Sequence, residues 1–368
     1  VSSQKGGTSK DLWILGKDEI DLCILNSFKY SKYVDTSIEN LSTLKAENLF
    51  WLGRYLARSI TTTRFMLQIV KKLASFYRFD MQSTKESQEV LHTALTHLTM
   101  TYPGFLSLKE HSNEAITDEI LSVIKDASRP GTLTYTFFML LNANLNLKDI
   151  LAMESWKLHD KMKSEWYEFL NSEKKSNIYI AGKLENTLIY LMAYKELVQE
   201  SIFKEQGLLL YEIGSKIEDT ILLLSLCRSL MTLDINKSME YDILDSLLHT
   251  MESFNAYRAH YKSSLMLENV VEFVVLNRQF PKSIIHICKE LIDDFKLLPK
   301  SKAIVSDYEE PIYKAYKILE SMEVSKVLQL KENEVVFFEF DTLLAELSQL
   351  YIDCSNEFTK TYFSHNDE

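Results

Sequence analysis

Almost nothing in this chain would stop a helix. Its 368 residues include 9 glycines and 5 prolines, well below the usual shares of roughly 7% and 5%. The residues that dominate instead lose little on entering a helix. The firmest breaks are Pro103-Gly104, Arg129-Pro130-Gly131 and Phe280-Pro281, where the proline ring removes a backbone donor and clashes with the preceding turn. So few interruptions predict an all-α fold, a bundle of about a dozen helices. A chain of this length buries about 75% of the surface its unfolded form exposes, enough for a large core without disulfide or metal staples.

Apolar spacing places the elements. Leu49, Leu52, Leu56, Ile60, Thr63, Leu67 and Val70 recur at three- and four-residue steps and define one buried stripe on a long first helix. Further helices are predicted over 84–101, 112–127, 131–147, 148–171, 176–204, 207–233, 238–260, 264–278, 282–298, 308–330 and 341–363, with Asp341 as an N-cap and Pro311 in a first turn. Residues 1–37 read as extended or irregular, and Val335-Val336-Phe337-Phe338 as apolar packing in a connector.

Two pairs of echoes suggest that one helical unit occurs twice. The run Asn48-Leu49-Phe50-Trp51-Leu52-Gly53-Arg54 is matched thinly by Tyr211-Glu212-Ile213-Gly214-Ser215, with Gly53 and Gly214 161 positions apart. Arg129-Pro130-Gly131-Thr132-Leu133 is matched by Phe280-Pro281-Lys282-Ser283-Ile284, with the prolines 151 apart. The expected units are about 45–171 and 176–365, within a helical domain at 38–368 that shares one core. Related helical layers meet along a pseudo-twofold seam, where polar groups of each copy face one another.

Bulk charge narrows the partners. The formal net charge of −11 and the absence of a Lys/Arg block argue against a nucleic-acid phosphate backbone. No apolar run reaches the roughly 18 residues that would span a bilayer. Cys23, Cys227, Cys288 and Cys354 are scattered without a Cys-x-x-Cys pair, which reads as reduced, buried thiols in a cytoplasmic protein. The start at Val1 suggests a piece of something longer.

Several clusters could carry chemistry. Arg54 and Arg58 lie one turn apart on one helical face, while the echo carries Ser215, Glu218 and Asp219. One reading is an Arg58–Glu218 or Arg58–Asp219 bridge that fixes the register of the two units. The other is a charged cleft that binds an anionic or peptide-like ligand. Tyr257-Arg258-Ala259-His260-Tyr261 reads as a packed aromatic edge, with His260 the best general-base candidate. Glu89 and His92 have metal-ligand spacing with His97 nearby, but no second Glu-x-x-His completes a bundle site, so no metal is expected. At the start, Gly6, Gly7, Ser9 and Lys10 form a loop whose amides could cradle a phosphate, though not a Walker A sequence; only an upstream module would give it that role.

Together the Asn48-to-Arg58 run, the Tyr257-to-Tyr261 cluster, the Val271-to-Ser283 stretch and the closing Tyr362-Phe363-Ser364-His365 resemble the bacterial alpha-E family over roughly 45–365. The opening Ser2-to-Trp13 looks like the last segment of circularly permuted ATP-grasp proteins, which are often fused to or encoded beside alpha-E proteins. The resemblance implies an all-helical domain working with an ATP-grasp module, in cis or in trans, whose relatives join a carboxylate to an amine through an acyl-phosphate. ATP and Mg would belong to that parent module, and no cofactor to the helical part. This chain departs from the family pattern. A glutamate is expected before the second arginine of the first helix, where Ala57 stands, and another near Ile60. An Arg-Glu-Asn cluster expected after Pro130 is replaced by Leu141-Asn142-Ala143-Asn144, and the arginine expected after Glu218 by Asp219.

The resulting expectation is an accessory domain that docks on the ligase module and helps hold its substrate or product, inactive alone. The alternatives are an enzyme using Arg54, Arg58, Glu218 and His260 around an inter-repeat cleft, acting on an amide or peptide, and an assembly scaffold.

Overall fold

The computed structural model describes residues 41–79, 85–108, 112–202, 207–262, 265–298, 306–330 and 334–363. The glycine loop Gly6, Gly7, Ser9 and Lys10, the rest of the opening segment with Cys23, and Ser364-His365 lie outside them. Fourteen α-helices make up the described residues: α1 Thr43–Phe79, α2 Lys85–Thr99, α3 Asn113–Lys125, α4 Leu133–Leu145, α5 Met153–Leu170, α6 Asn177–Ser201, α7 Gly207–Leu230, α8 Lys237–Thr250, α9 Phe254–Tyr261, α10 Leu267–Val271, α11 Ile284–Leu297, α12 Glu310–Ser321, α13 Val324–Val327 and α14 Phe338–Phe363. A 3₁₀ turn, Gly104–Ser107, follows α2, and a π turn, Glu272–Leu276, extends α10. The all-α expectation holds, and the only β pairing among the described residues is an isolated bridge between Leu233 and Val336.

The bundle is organised around α1 and α7. The predicted stripe of α1, from Leu49 to Val70, is buried throughout, and the helix lies against α7, α6, α4, α8, α2 and α14. At about 1.5 Å per residue its 37 residues are long enough to run through the whole bundle. In α7 the buried positions run almost all round, from Leu208 through Ile213, Ile217, Leu222 and Leu226 to Leu230, as expected of a helix enclosed on every side. Where the two helices cross, Gly53 faces the backbone of Tyr211 and Gly214 faces that of Phe50, so a Cβ on either glycine would run into a carbonyl oxygen. The two glycines let the axes approach until backbone meets backbone.

Local chemistry sets the helix starts. Ser112, Thr132, Ser176, Asn236 and Ser283 cap α3, α4, α6, α8 and α11, each side-chain oxygen accepting from an amide three residues on. Pro311 lies in the first turn of α12 as predicted. Asp341 is not an N-cap, because α14 begins three residues earlier at Phe338. The chain enters that helix from the Leu233–Val336 bridge, with Phe337 N donating to Thr232 O at 2.8 Å, which fixes an earlier start. The span predicted over 238–260 is broken at Glu252, whose φ of 52° is left-handed, while Ser253 N bonds back to Leu248 O. That over 308–330 is broken at Met322 and Glu323, both extended. Tight turns occupy 146–151, so α5 starts only at Met153.

The turns before α4 and α11 are wired alike. Thr132 Oγ1 donates to Asp126 O at 2.5 Å and Ser283 Oγ to Asn277 O at 2.6 Å. Asp126 Oδ1 accepts from Ser128 N at 2.8 Å, and Asn277 Oδ1 from Gln279 N at 3.0 Å. Thr132 N bonds to Arg129 O and Ser283 N to Phe280 O. Each of these bonds has its counterpart 151 residues later.

Candidate functional site

Two arginines from α1 clamp one carboxylate of α7. Arg54 contacts Glu218 Oε2 through Nε at 2.7 Å and Nη2 at 2.6 Å. Arg58 contacts Oε1 through Nε and Nη2, both at 2.6 Å. Arg54 also donates from Nη1 to Ser355 Oγ of α14 at 2.5 Å and lies over the Trp51 ring, 5.1 Å from its centroid. Of the two expected bridges, the structure forms the one to Glu218, and Arg54 joins it.

Exposure separates the roles of the three side chains. Glu218 is 0% exposed, Arg54 12% and Arg58 35%. Burial alone would raise the carboxyl pKa of Glu218, but the charges and hydrogen bonds of Arg54 and Arg58 together hold it below its ordinary value. Burial works against the charge on Arg58 as well, and Glu218 more than offsets this. Beside them burial pushes the Tyr55 hydroxyl up to about 12, against the opposing pull of Arg58 and Arg54. A carboxylate already accepting from two guanidiniums, with a depressed pKa, is a poor general base. Glu218 orients the arginines, and the half-exposed Arg58 faces outward.

That outward edge opens into an arginine cavity of about 900 Å³ between α1, α2, α4, α7 and α14. Tyr135, Ser225, Ser348 and the Pro130-Gly131 turn line it. At its rim Arg228 forms a two-point pair with Asp341, at 2.7 and 3.1 Å, and His97 Nδ1 meets the Tyr102 hydroxyl at 2.5 Å. Burial and the charge of Arg228 lower the His97 pKa. The pair Arg228–Asp341 and the residues Tyr135 and Ser355 were not singled out from the sequence, because no local pattern joins residues that meet only through the α7–α14 and α4 packing.

The other predicted residues lie elsewhere. Asp219 points to a separate cavity beyond α7, lined also by Ala57 and Ser215. His260 is exposed on α9, edge-on to Tyr261 at 4.7 Å, and lines neither cavity. It is not brought together with Arg54, Arg58 and Glu218 at the arginine cavity; the span read as one helix over 238–260 is interrupted at Glu252 before it reaches His260. Tyr257 and Tyr261 do stack, at 4.9 Å, as a packed edge with Phe273. Glu89 is exposed whereas His92 is buried against Phe105, so the two do not point to a common centre. Cys227, Cys288 and Cys354 are buried free thiols.

The pattern that defines the Alpha-E family, described as a predicted alpha-helical domain with a conserved ER motif, matches residues 41–363. The chain belongs to the Alpha-E family. Among similar proteins are an uncharacterised protein of Mycobacterium bovis and two uncharacterised proteins from strains of Mycobacterium tuberculosis, each 25% identical over 263 residues, which make up 69% of this chain and 30% of the relative. The chain thus spans less than a third of the length of the relatives it matches. No solved structure matches it. This Alpha-E chain contains no glutamate directly followed by arginine. Its Glu218 and Arg58 meet in space, across two helices, instead of in sequence. No helix among the described residues is long and apolar enough to cross a membrane.

Proposed function

We propose that this Alpha-E domain is an accessory module of an ATP-grasp-type carboxylate–amine ligase and holds the ligase's peptide-like or carboxylate-bearing substrate or product in the arginine cavity. The observation that carries the reading is Arg58. One edge of its guanidinium is locked by Glu218, and the side chain remains 35% exposed toward a cavity large enough for a dipeptide-sized ligand. A cation fixed in advance binds an anionic group without paying to be ordered. Tyr135, Ser225 and Ser348 add neutral polar groups around it.

The cytoplasmic ligase partner, with its ATP and Mg, remains part of the proposal. It is supported by the much greater length of the mycobacterial relatives and by the resemblance of the opening residues to an ATP-grasp tail. We further propose that the domain arose by duplication, which the matching turns before α4 and α11 and the reciprocal Gly53 and Gly214 contacts support. The alternative of a stand-alone enzyme acting on an amide or peptide finds less support, since Glu218 is saturated by the two arginines and His260 does not line the cavity. In the complete protein, Arg58→Ala should raise the KM for the carboxylate-bearing substrate while ATP binding is unchanged. Removal of residues 38–368 should impair ligation; unchanged turnover would count against the accessory role.

A further inference from the structure

The second cavity, of about 300 Å³, lies on the opposite side of the α1–α7 crossing, and Pro281-Lys282 lines it as Pro130-Gly131 lines the first. Where Glu218 fills the arginine cavity, the residue 161 positions earlier, Ala57, leaves room here. The cavity has its own cations: Arg64 from α1, Lys195 from α6, Lys216 from α7 and Lys282 from the turn before α11.

These cations are unevenly compensated. Lys216 is taken by Asp294 at 2.7 Å and Glu290 at 3.5 Å. Lys195 has no hydrogen bond or ion pair among the described residues. Lys282 is an exposed residue whose Nζ donates, among the described residues, to the Met251 carbonyl alone, at 2.6 Å. The Arg64 side chain is 15% exposed. Its nearest acid is the exposed Glu252 at 3.9 Å, and its Nη2 faces the Met192 sulfur. Arg64 Nε is buried with no hydrogen-bond partner, and so is the hydroxyl of Tyr211, a residue 1% exposed that lines the cavity. Buried donors without acceptors are costly, and such sites are where a ligand supplies the missing atom. Three carboxylates line the cavity, Glu212, Asp219 and Glu290; burial raises the pKa of Asp219, with Glu218 adding to the effect against the opposing pull of Lys195 and Arg64, so that this acid resists ionising.

We propose that this cavity binds a small organic anion, one bearing a carboxylate or phosphate group, through Arg64, Lys195, Lys282 and the Tyr211 hydroxyl. The apolar wall of Ile60, Leu223 and Ile287 faces the carbon part of the ligand. The site is distinct from the arginine cavity and does not rest on the ligase reading.

Calorimetric titration of the protein with succinate and, separately, with inorganic phosphate tests it. One saturable site for either anion is expected, and the anion that binds identifies the head group. Affinity should fall at least tenfold in Arg64→Gln and in the double variant Lys195→Gln/Lys282→Gln, less in Tyr211→Phe, and stay the same in Lys289→Gln, which removes an exposed charge of α11 outside the cavity. Melting curves establish that each variant is folded. No saturable binding of either anion, or wild-type affinity in both the folded Lys195→Gln/Lys282→Gln and Tyr211→Phe variants, would overturn the proposal.

Discussion

Gly53 and Gly214 stand at the crossing of α1 and α7, each against the backbone that leads into the other: Gly53 on the Tyr211 carbonyl, Gly214 on that of Phe50. The same crossing brings Arg54 and Arg58 within hydrogen-bond reach of Glu218. Close approach and charge clamp are consequences of one packing decision.

An alanine at either glycine therefore has to push the helices apart. Gly→Ala in a helix gains about 0.5–1 kcal/mol in backbone terms, but an added atom against a rigid carbonyl costs roughly 1–3 kcal/mol or more. Gly53→Ala and Gly214→Ala should each lower the urea midpoint. Gly182, which a Cβ would leave in open space, should tolerate alanine without loss. Equal midpoints for all three variants would contradict the close crossing.

Acid should loosen the seam. Because the Glu218 pKa is lower in the folded chain than in the unfolded one, its contribution is complete above the ordinary carboxyl value and fades as pH falls through the folded value. The wild type should lose stability on acidification below about pH 4.5, and Glu218→Gln should show a shallower loss over that range. Parallel curves would show that Glu218 is not held ionised by the arginines.

Anion binding in the second cavity should respond to pH through Asp219. The charged groups around it are Arg64 from α1, Lys195 from α6, Glu212, Lys216 and Glu218 from α7, Lys282 and Glu290 around α11, and Glu252 at the α8–α9 break. Its raised pKa means that it becomes negative as pH climbs through that value and then opposes an anion. Sulfate, which does not titrate in this range, should bind more weakly as pH rises in the wild type and with a flatter profile in Asp219→Asn.

Much of this fold is written locally. The stripe Leu49 to Val70 and the turns at Pro130 and Pro281 announce helices and breaks through spacing and ring geometry. The break at Glu252 was hidden, because a non-glycine residue in left-handed conformation leaves no compositional trace and Leu248, Met251 and Tyr257 keep a helical rhythm across it. The early start of α14 depends on a bridge to Leu233, a contact 103 residues away from Val336, which no window around Asp341 contains. At the site, Arg54, Arg58 and Glu218 were legible because the paired echoes aligned the two helices. Arg64, Lys195 and Lys282 come from three elements with no shared pattern, so only packing reveals them together.

The central claim is that Glu218 serves as the clamp that presents Arg58 to the larger cavity. A double-mutant cycle with Arg58→Gln and Glu218→Gln, read by urea unfolding at neutral pH, measures that coupling directly. A favourable coupling of about 1–3 kcal/mol is predicted, as for contacting residues in one buried network. Additive losses, with coupling near zero, would contradict the clamp.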